Sequence, residues 1–305
     1  MTRWLITGAG GMLGRDLVSA LNQAGHDVTG LAHRDLDVTD ESTVHAALRQ
    51  HRPDIVVNCA AWTRVDDAET HEEEALAVNG HGAAHVAAAC ADSGARLVQI
   101  SSDYVFGGDT RRPYSETDDA RPRTAYGRTK LAGEQAVMRL LPGTGYVLRT
   151  AWLYGAHGPN FVRTMIRLER ERSAVDVVDD QHGQPTWTVD LARGIIALDR
   201  SRAAPGVYHA SSSGSVTWFG LARELFGLLG ADAARVRPIT TMEYPSPAPR
   251  PACSVLGHDA WAAADLEPLP GWQVSLRRAF PELLAAAQAE APPAGGALRL
   301  EARPG

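Results

Sequence analysis

The segment T-A-Y-G-R-T-K (124–130) holds the only lysine in a chain whose other basic residues, 30 in all with it, are arginines. Lys130 stands four residues after Tyr126. On a helix, positions i and i+4 share one face and lie about 6 Å apart along the axis, so the two side chains can act on one bound group. A free tyrosine, with a pKa of about 10, is a slow proton carrier at neutral pH. An ammonium beside it stabilises the phenolate and lowers that pKa. Lysine is a compact charge with rotatable donors and can also grip ribose hydroxyls; the planar, forked arginine cannot replace it. One lysine falling four residues after one of 7 tyrosines among 305 positions has a random chance of about 2%. The spacing is therefore read as a proton-transfer pair rather than as two surface residues.

A second constellation lies at the start of the chain. T-G-A-G-G-M-L-G puts Gly8, Gly11 and Gly14 in a G-x-x-G-x-x-G pattern, with Gly10 as an extra glycine and Met12 and Leu13 between the last two. The loop follows an apolar strand and opens a helix, the context such a motif needs. Glycines there let the backbone turn tightly and approach a pyrophosphate, which then rests on the helix N-terminus. The next strand ends L-A-H-R-D, with no acid before Arg34. An acid there would bind the ribose of NAD, and an arginine accommodates the 2′-phosphate of NADP. Arg34 thus leans towards NADPH, while Asp35, one residue on, keeps NADH open.

The elements that must position these groups alternate along the chain. R-W-L-I-T, D-V-T-G-L-A, D-I-V-V-N-C-A-A, R-L-V-Q-I-S-S and G-Y-V-L-R-T-A-W read as strands. Helical spacing fills the gaps between them, including one long helix over 71–94 and another from about Tyr126 to Leu141. Strands that are apolar on both faces predict an α/β fold, a Rossmann-type, doubly wound parallel sheet. Residues 1–155 read as this nucleotide-binding domain, its sheet completed by segments near 174–211. Residues 156–287 read as mainly a smaller C-terminal substrate-binding lobe, with 245–251 as a Pro-rich loop and 288–305 as a disordered tail. Hydrophobic residues at 44% and charged residues at 22% are ordinary for a globular enzyme. The net charge of −6 argues against nucleic acid as a partner. No apolar run is long enough to span a bilayer, and no secretory signal precedes the first strand, so a cytoplasmic location is expected. Cys59, Cys90 and Cys253 lie far apart and read as reduced structural thiols.

The glycine loop, the strand-end S-S-D and the later Y-x-x-x-K together resemble the extended short-chain dehydrogenase/reductase superfamily. L-D-V-T-D (36–40), V-N-C-A-A-W-T-R-V-D-D-A-E (57–69), V-Q-I-S-S-D-Y-V-F-G-G (98–108), L-R-T-A-W-L-Y-G (148–155), D-Q-H-G-Q-P-T (180–186), G-V-Y-H-A-S (206–211) and R-P-A-C-S-V-L (250–256) resemble the dTDP-4-dehydrorhamnose reductase family. The resemblance implies Tyr126 as proton donor, Lys130 as its partner, and Ser102 as the hydroxyl that bonds the substrate carbonyl and tunes Tyr126. It implies Asp37 and Val38 beside the adenine, and Ala60, Ala61, Trp62 and Thr63 along the ribose and nicotinamide. Asp103 and Trp152 match positions that contact the sugar nucleotide, and Arg250 is placed to contact its diphosphate. Ser102 stands where threonine is usual, Trp62 replaces a usual Tyr or His, Gly107 a usual Asp, and Arg64 is unusual in its loop. The departures near the substrate leave the exact sugar open.

The implied activity is reduction of the 4-keto group of a dTDP-4-keto-6-deoxyhexose, first of all dTDP-4-dehydro-L-rhamnose. The alternatives are a related dTDP-keto-sugar reductase of antibiotic sugar biosynthesis, such as one forming dTDP-dihydrostreptose, and a non-catalytic, cofactor-binding regulatory subunit. A sugar-nucleotide dehydratase is disfavoured, because Ser102-Asp103-Tyr104 lacks the Glu of a T-D-E motif. A monomer or a homodimer is expected. Magnesium is possible, as some members of the family dimerise through a metal, but no acidic cluster in the sequence supports it.

Overall fold

Residues 2–201 and 203–289 are described in a computed structural model of the chain. Five strands, β1 (Arg3–Thr7), β2 (Asp27–Leu31), β3 (Ile55–Asn58), β4 (Arg96–Ser102) and β5 (Gly145–Thr150), together with Gly206–His209, form the central sheet. The spatial order is β2, β1, β3, β4, β5, then Gly206–His209, and every neighbouring pair is parallel. The order reverses between β1 and β3. In an open parallel sheet, ligands bind outside the carboxyl ends of the strands at such a switch point.

Alternation along each strand explains why both faces are covered. Trp4, Ile6, Ile55, Val57, Val98 and Leu148 pack on one face with Leu13, Leu17 and Leu21 of helix α1 (Met12–Gln23) and with Leu191 and Ile195 of helix Thr188–Arg200. Leu5, Val56, Leu97 and Val147 point to the other face, against Val44 and Leu48 of helix Glu41–His51, Val86, and Val137 of helix Ala125–Leu140. Enclosing each such side chain contributes about 2 kcal/mol. A second core joins Ile166, Val175, Val177, Trp187, Leu221, Phe226, Trp272 and Leu276.

Three expectations are corrected. The segment 71–94 is not one regular helix. It runs Glu72–Leu76, then six residues of π geometry over Ala77–Gly82, then Ala83–Ser93. The two glycines of the π turn have no side chain to oppose close packing: a Cβ at Gly82 would lie 2.8 Å from Val38 Cγ2. The strand Val175–Val178 does not join the main sheet but pairs in parallel with Val236–Ile239, because Val175 and Val177 are buried in the second core. Residues 288 and 289 end the helix Trp272–Ala289, and the rest of the expected tail lies outside the described residues. No helix among the described residues is long and apolar enough to cross a membrane.

Candidate active site

The glycine loop packs where a side chain cannot. Gly8 has φ +63°, and a Cβ there would lie 2.6 Å from the Ala60 nitrogen. A Cβ at Gly14 would strike the Gly8 carbonyl oxygen, and Gly11 N–H donates to that oxygen at 2.9 Å. Helix α1, which carries Met12 and Leu13, has Gly11 at its N-cap with no side-chain capping bond, and its first turn holds no acidic residue. A bare helix N-terminus above a tight glycine turn offers unpaired N–H groups and a positive dipole end to an anion. The loop therefore fits the pyrophosphate of a dinucleotide.

At the end of β2 the Arg34 side chain is 88% exposed and lies 3.6 Å from Asp35. Asp35 is turned back on its own loop, where it accepts from Ala32 N–H at 3.0 Å. This favours the arginine over the acid as the group that meets the ribose. Asp37 accepts from the backbone N–H and the hydroxyl of Thr39, and these bonds hold its carboxyl below the usual range. Val38 is buried, with His85 Nδ1 3.0 Å from its carbonyl oxygen.

Ala60, Ala61, Trp62 and Thr63 follow β3 next to this loop. Beneath them runs a buried chain in which Thr7 donates to Asn58 at 2.5 Å and Asn58 donates to Gln99 at 2.8 Å. Trp62 is clamped by a residue that sequence reasoning missed. Asn79 accepts from Trp62 N–H at 2.9 Å, and its amide donates to the Trp62 carbonyl at 3.1 Å and to Thr129 at 3.0 Å. The π turn carries Asn79, and the glycines of A-V-N-G-H-G within a helical stretch were the available signal. The Arg64 guanidinium lies 4.1 Å over the Trp62 ring.

The proton-transfer group forms where β4 meets the helix Ala125–Leu140. Thr124 caps that helix by accepting from Gly127 N–H at 3.0 Å. A Cβ at Gly127 would strike the Tyr104 carbonyl oxygen, so the helix start sits tightly on the strand end. Tyr126 and Lys130 are both buried on the inner face. Ser102 donates to Asp103 Oδ1 at 2.9 Å and accepts from Tyr104 N–H at 3.2 Å.

One electrostatic expectation is reversed. Burial pushes the Tyr126 phenol well above the ordinary tyrosine value, and a hydrogen-bonding contact with Ser102, not the charge of Lys130, opposes this. Lys130 is itself pushed down to about 8 by burial, with Glu134 pulling the other way. Its ammonium donates to the Ile100 carbonyl at 2.7 Å. Glu134 was also missed: it accepts from Ser101 and takes two nitrogens of Arg149, at 2.7 Å (Nη2) and 2.9 Å (Nε), tying the helix to β4 and β5.

The expected substrate residues gather on the same side. Asp103 is buried, and burial pushes its carboxyl up to about 6, with the Ser102 hydroxyl that donates to it opposing the rise. Trp152 packs beside Val105 and Phe106 and stacks on Trp218 with ring centroids 3.4 Å apart and planes within 3°. The D-Q-H-G-Q-P-T segment builds this arrangement. Gln181 accepts from Trp218 Nε1 at 3.2 Å, Gly183 lies against the Trp152 indole, and buried Gln184 accepts from Leu256 N–H at 2.7 Å. Arg250 bonds Asp66 at 2.6 Å and lines a cavity of about 320 Å³ with Tyr104, Phe106, Arg123 and Pro251. Tyr104 in turn meets the Tyr126 ring edge-on at 5.6 Å. Away from this site, Asp16, His157 and Glu282 bring their ligand atoms within 4.8 Å of one another, a grouping their sequence separation hid.

A profile of the RmlD substrate binding domain family matches residues 2–285. The dTDP-4-keto-6-deoxy-D-glucose reductase of Streptomyces niveus is 56% identical over 281 residues, which cover 92% of this chain and 97% of that protein. The dTDP-4-dehydrorhamnose reductase of Streptomyces griseus is 55% identical over 285 residues, 92% of this chain and 94% of that one. A crystal structure of dTDP-4-dehydrorhamnose reductase from Bacillus anthracis in complex with NADP superposes with a TM-score of 0.88 at 40% identity, covering 92% of this chain and 100% of that one. Likeness of this degree runs through the central sheet, the helix that carries Tyr126 and the second core against which Trp218 packs, and on that ground the chain belongs to the dTDP-4-dehydrorhamnose reductase family of the extended short-chain dehydrogenases/reductases.

Proposed function

We propose that this protein is an NADPH-dependent reductase of a dTDP-4-keto-6-deoxyhexose, with dTDP-4-dehydro-L-rhamnose as the first candidate substrate. The observation that carries the reading is the buried group of Ser102, Tyr126 and Lys130 at the carboxyl edge of a nucleotide-binding sheet, in a chain so similar to two keto-sugar reductases. The cofactor is held by Gly8, Gly11 and the first turn of α1 at its pyrophosphate, by Arg34 at its 2′-phosphate, and by the Ala60–Thr63 segment further along. When bound, NADPH supplies the hydride.

The residues of the chain supply the rest. The raised pKa of Tyr126 keeps its proton on Oη at neutral pH, ready for a carbonyl oxygen that gains negative charge as the carbonyl carbon is reduced. Transfer of that proton completes the hydroxyl and leaves a phenolate. Ser102, within hydrogen-bonding reach of Tyr126, stabilises both the charged oxygen and the phenolate. Lys130, fixed to Ile100, adds positive charge to the same buried space. Asp103 and Trp152 orient the sugar so that one face meets the cofactor.

The two Streptomyces relatives carry names with different keto sugars, so the test is an NADPH-oxidation assay over a panel of dTDP-4-keto-6-deoxyhexoses. Turnover is expected with at least one of them. Tyr126→Phe is expected to lower the rate by about 10²–10⁴-fold while NADPH binding, followed by fluorescence, is retained. A full rate in Tyr126→Phe would mean that another group donates the proton. No turnover on the whole panel would turn the reading towards a regulatory subunit.

A further inference from the structure

Lys130 is buried, yet the hydrogen bond of its ammonium goes to a neutral partner, the Ile100 carbonyl at 2.7 Å. A buried charge is costly unless another charge compensates it. Glu134 is placed to do so. It stands four residues further along the helix Ala125–Leu140 and is buried on the same face. Its Oε1 accepts from Ser101, the residue that follows Ile100 on β4. Lysine and glutamate therefore end on consecutive residues of one strand, and the carboxylate acts on the ammonium through the space between them.

Glu134 does not serve Lys130 alone. Arg149, from β5, takes it with Nη2 at 2.7 Å and Nε at 2.9 Å, a fork that fixes the carboxylate in place. One buried anion thus serves two buried cations. The other titratable groups around them add no compensating charge. Cys59, just past β3, is pushed up to about 12 by burial and stays a thiol. His209, with Nε2 3.4 Å from Arg149 Nη1, is pushed down to about 3 by burial and by that guanidinium, so its ring is neutral. Tyr126, on the lysine's own helix, keeps its proton, and Asp103, just past β4, acts on that phenol. The charge of Lys130 accordingly depends on Glu134.

We propose that Glu134 is a positioning residue of the reductase: shared between Lys130 and Arg149, it keeps the lysine an ammonium beside Tyr126 through the proton transfer. The inference rests on the keto-sugar reading above, in which that transfer leaves a phenolate. A neutral lysine would give the phenolate no positive charge.

The single lysine makes the test direct. The intact protein, produced with lysine carrying carbon-13 at Cε, gives one lysine signal by NMR. Its chemical shift follows the ammonium as pH is raised in the absence of cofactor. The wild-type midpoint is expected at about 8. Glu134→Gln retains an acceptor for Ser101 but not the charge, and its midpoint should fall by about 1–3 pH units. That variant leaves Arg149 without its partner, so the double variant Glu134→Gln with Arg149→Met is titrated beside it. Replacing a whole buried pair by neutral residues of similar size is tolerated far better than breaking it. The double variant's midpoint should also fall below that of the wild type. In the reductase assay, the alkaline limb of kcat/KM should move down in pH with the midpoint. A midpoint unchanged in the double variant overturns the proposal and leaves Glu134 a structural tie between helix and sheet. The two readings fail separately. Turnover with an unmoved midpoint keeps the reductase and loses this role of Glu134; a lowered midpoint without turnover on any keto sugar does the reverse.

Discussion

Lys130 donates its ammonium to the Ile100 carbonyl oxygen at 2.7 Å, so the only lysine in the chain is fastened to β4 one helical turn from Tyr126. Burial moves the two groups in opposite directions, the phenol up and the ammonium down to about 8, and in both cases it favours the neutral form.

That shift predicts a pH dependence of stability. The folded pKa of Lys130 lies below the ordinary lysine value of 10.5. Between the two values the unfolded chain holds a proton that the folded chain releases, so stability rises with pH across that window. Below about 8 both states are protonated and the full cost of the buried charge remains. Lys130→Met removes this contribution. Urea unfolding of both proteins without cofactor should show the wild type gaining on the variant from pH 8 to pH 10.5. A difference that stays constant with pH would mean that the lysine titrates as it does in water.

Asn79 should matter beyond its own helix. Its amide makes three bonds, two to the Trp62 backbone and one to Thr129, on the helix that carries Tyr126 and Lys130. Asn79→Ala leaves buried donors and acceptors unpaired and should cost about 1–3 kcal/mol in chemical denaturation. It should also lower kcat/KM for keto-sugar reduction, since Trp62 and Tyr126 lose their common brace. Asn79→Asp keeps the bond to Trp62 N–H and should fall between. Wild-type stability in the alanine variant would mean that the clamp contributes nothing.

The sheet and the Tyr126–Lys130 pair were legible because they depend on local signals. Short continuous apolar runs, a glycine loop at a strand–helix junction and an i, i+4 spacing all lie within a few residues. What was not legible depends on distance along the chain. Glu134 looks like an ordinary helical surface acid until Arg149 and Ser101 close on it. Val175–Val178 has the pattern of a main-sheet strand, and only its partner Val236–Ile239 says otherwise. The direction of the Tyr126 shift was missed for the same reason: spacing places a charge nearby, but burial, a property of the whole fold, acts more strongly.

Asp103 is expected to lower stability for the sake of the site. Its folded pKa of about 6 lies above the ordinary value of 3.8, so at neutral pH the folded state carries a buried charge that would be better solvated in the unfolded chain. Asp103→Asn should therefore unfold at a higher temperature than wild type at pH 7. The advantage should fade as pH falls through the interval between those two values, where the wild-type carboxyl becomes neutral in the folded state and then in both. The same variant should reduce keto-sugar turnover, because the Ser102 hydroxyl loses its charged partner. If Asp103→Asn were less stable at pH 7, the carboxylate would have to be better solvated than its burial implies.

Trp152 is held in a conformation it would not choose. Its φ of +46° lies in the left-handed region, which costs a non-glycine residue about 1–3 kcal/mol and persists only where the surroundings dictate it. Those surroundings are the Trp218 ring stacked at 3.4 Å, the Thr186 N–H donating to the Trp152 carbonyl at 3.2 Å, and Gly183, whose lack of a side chain makes room for the indole. A Cβ at position 183 would enter the space of the Trp152 ring, so Gly183→Ala must displace it. The stacked pair gives a near-ultraviolet circular dichroism signal that this substitution should weaken. If the indole positions the sugar, KM for the keto sugar should rise about tenfold while kcat changes less, since the proton-transfer group is untouched. Trp218→Leu should reproduce the change from the other contact. Loss of the dichroism signal with an unchanged KM would separate Trp152 from substrate binding and leave the stack a packing feature of the second core.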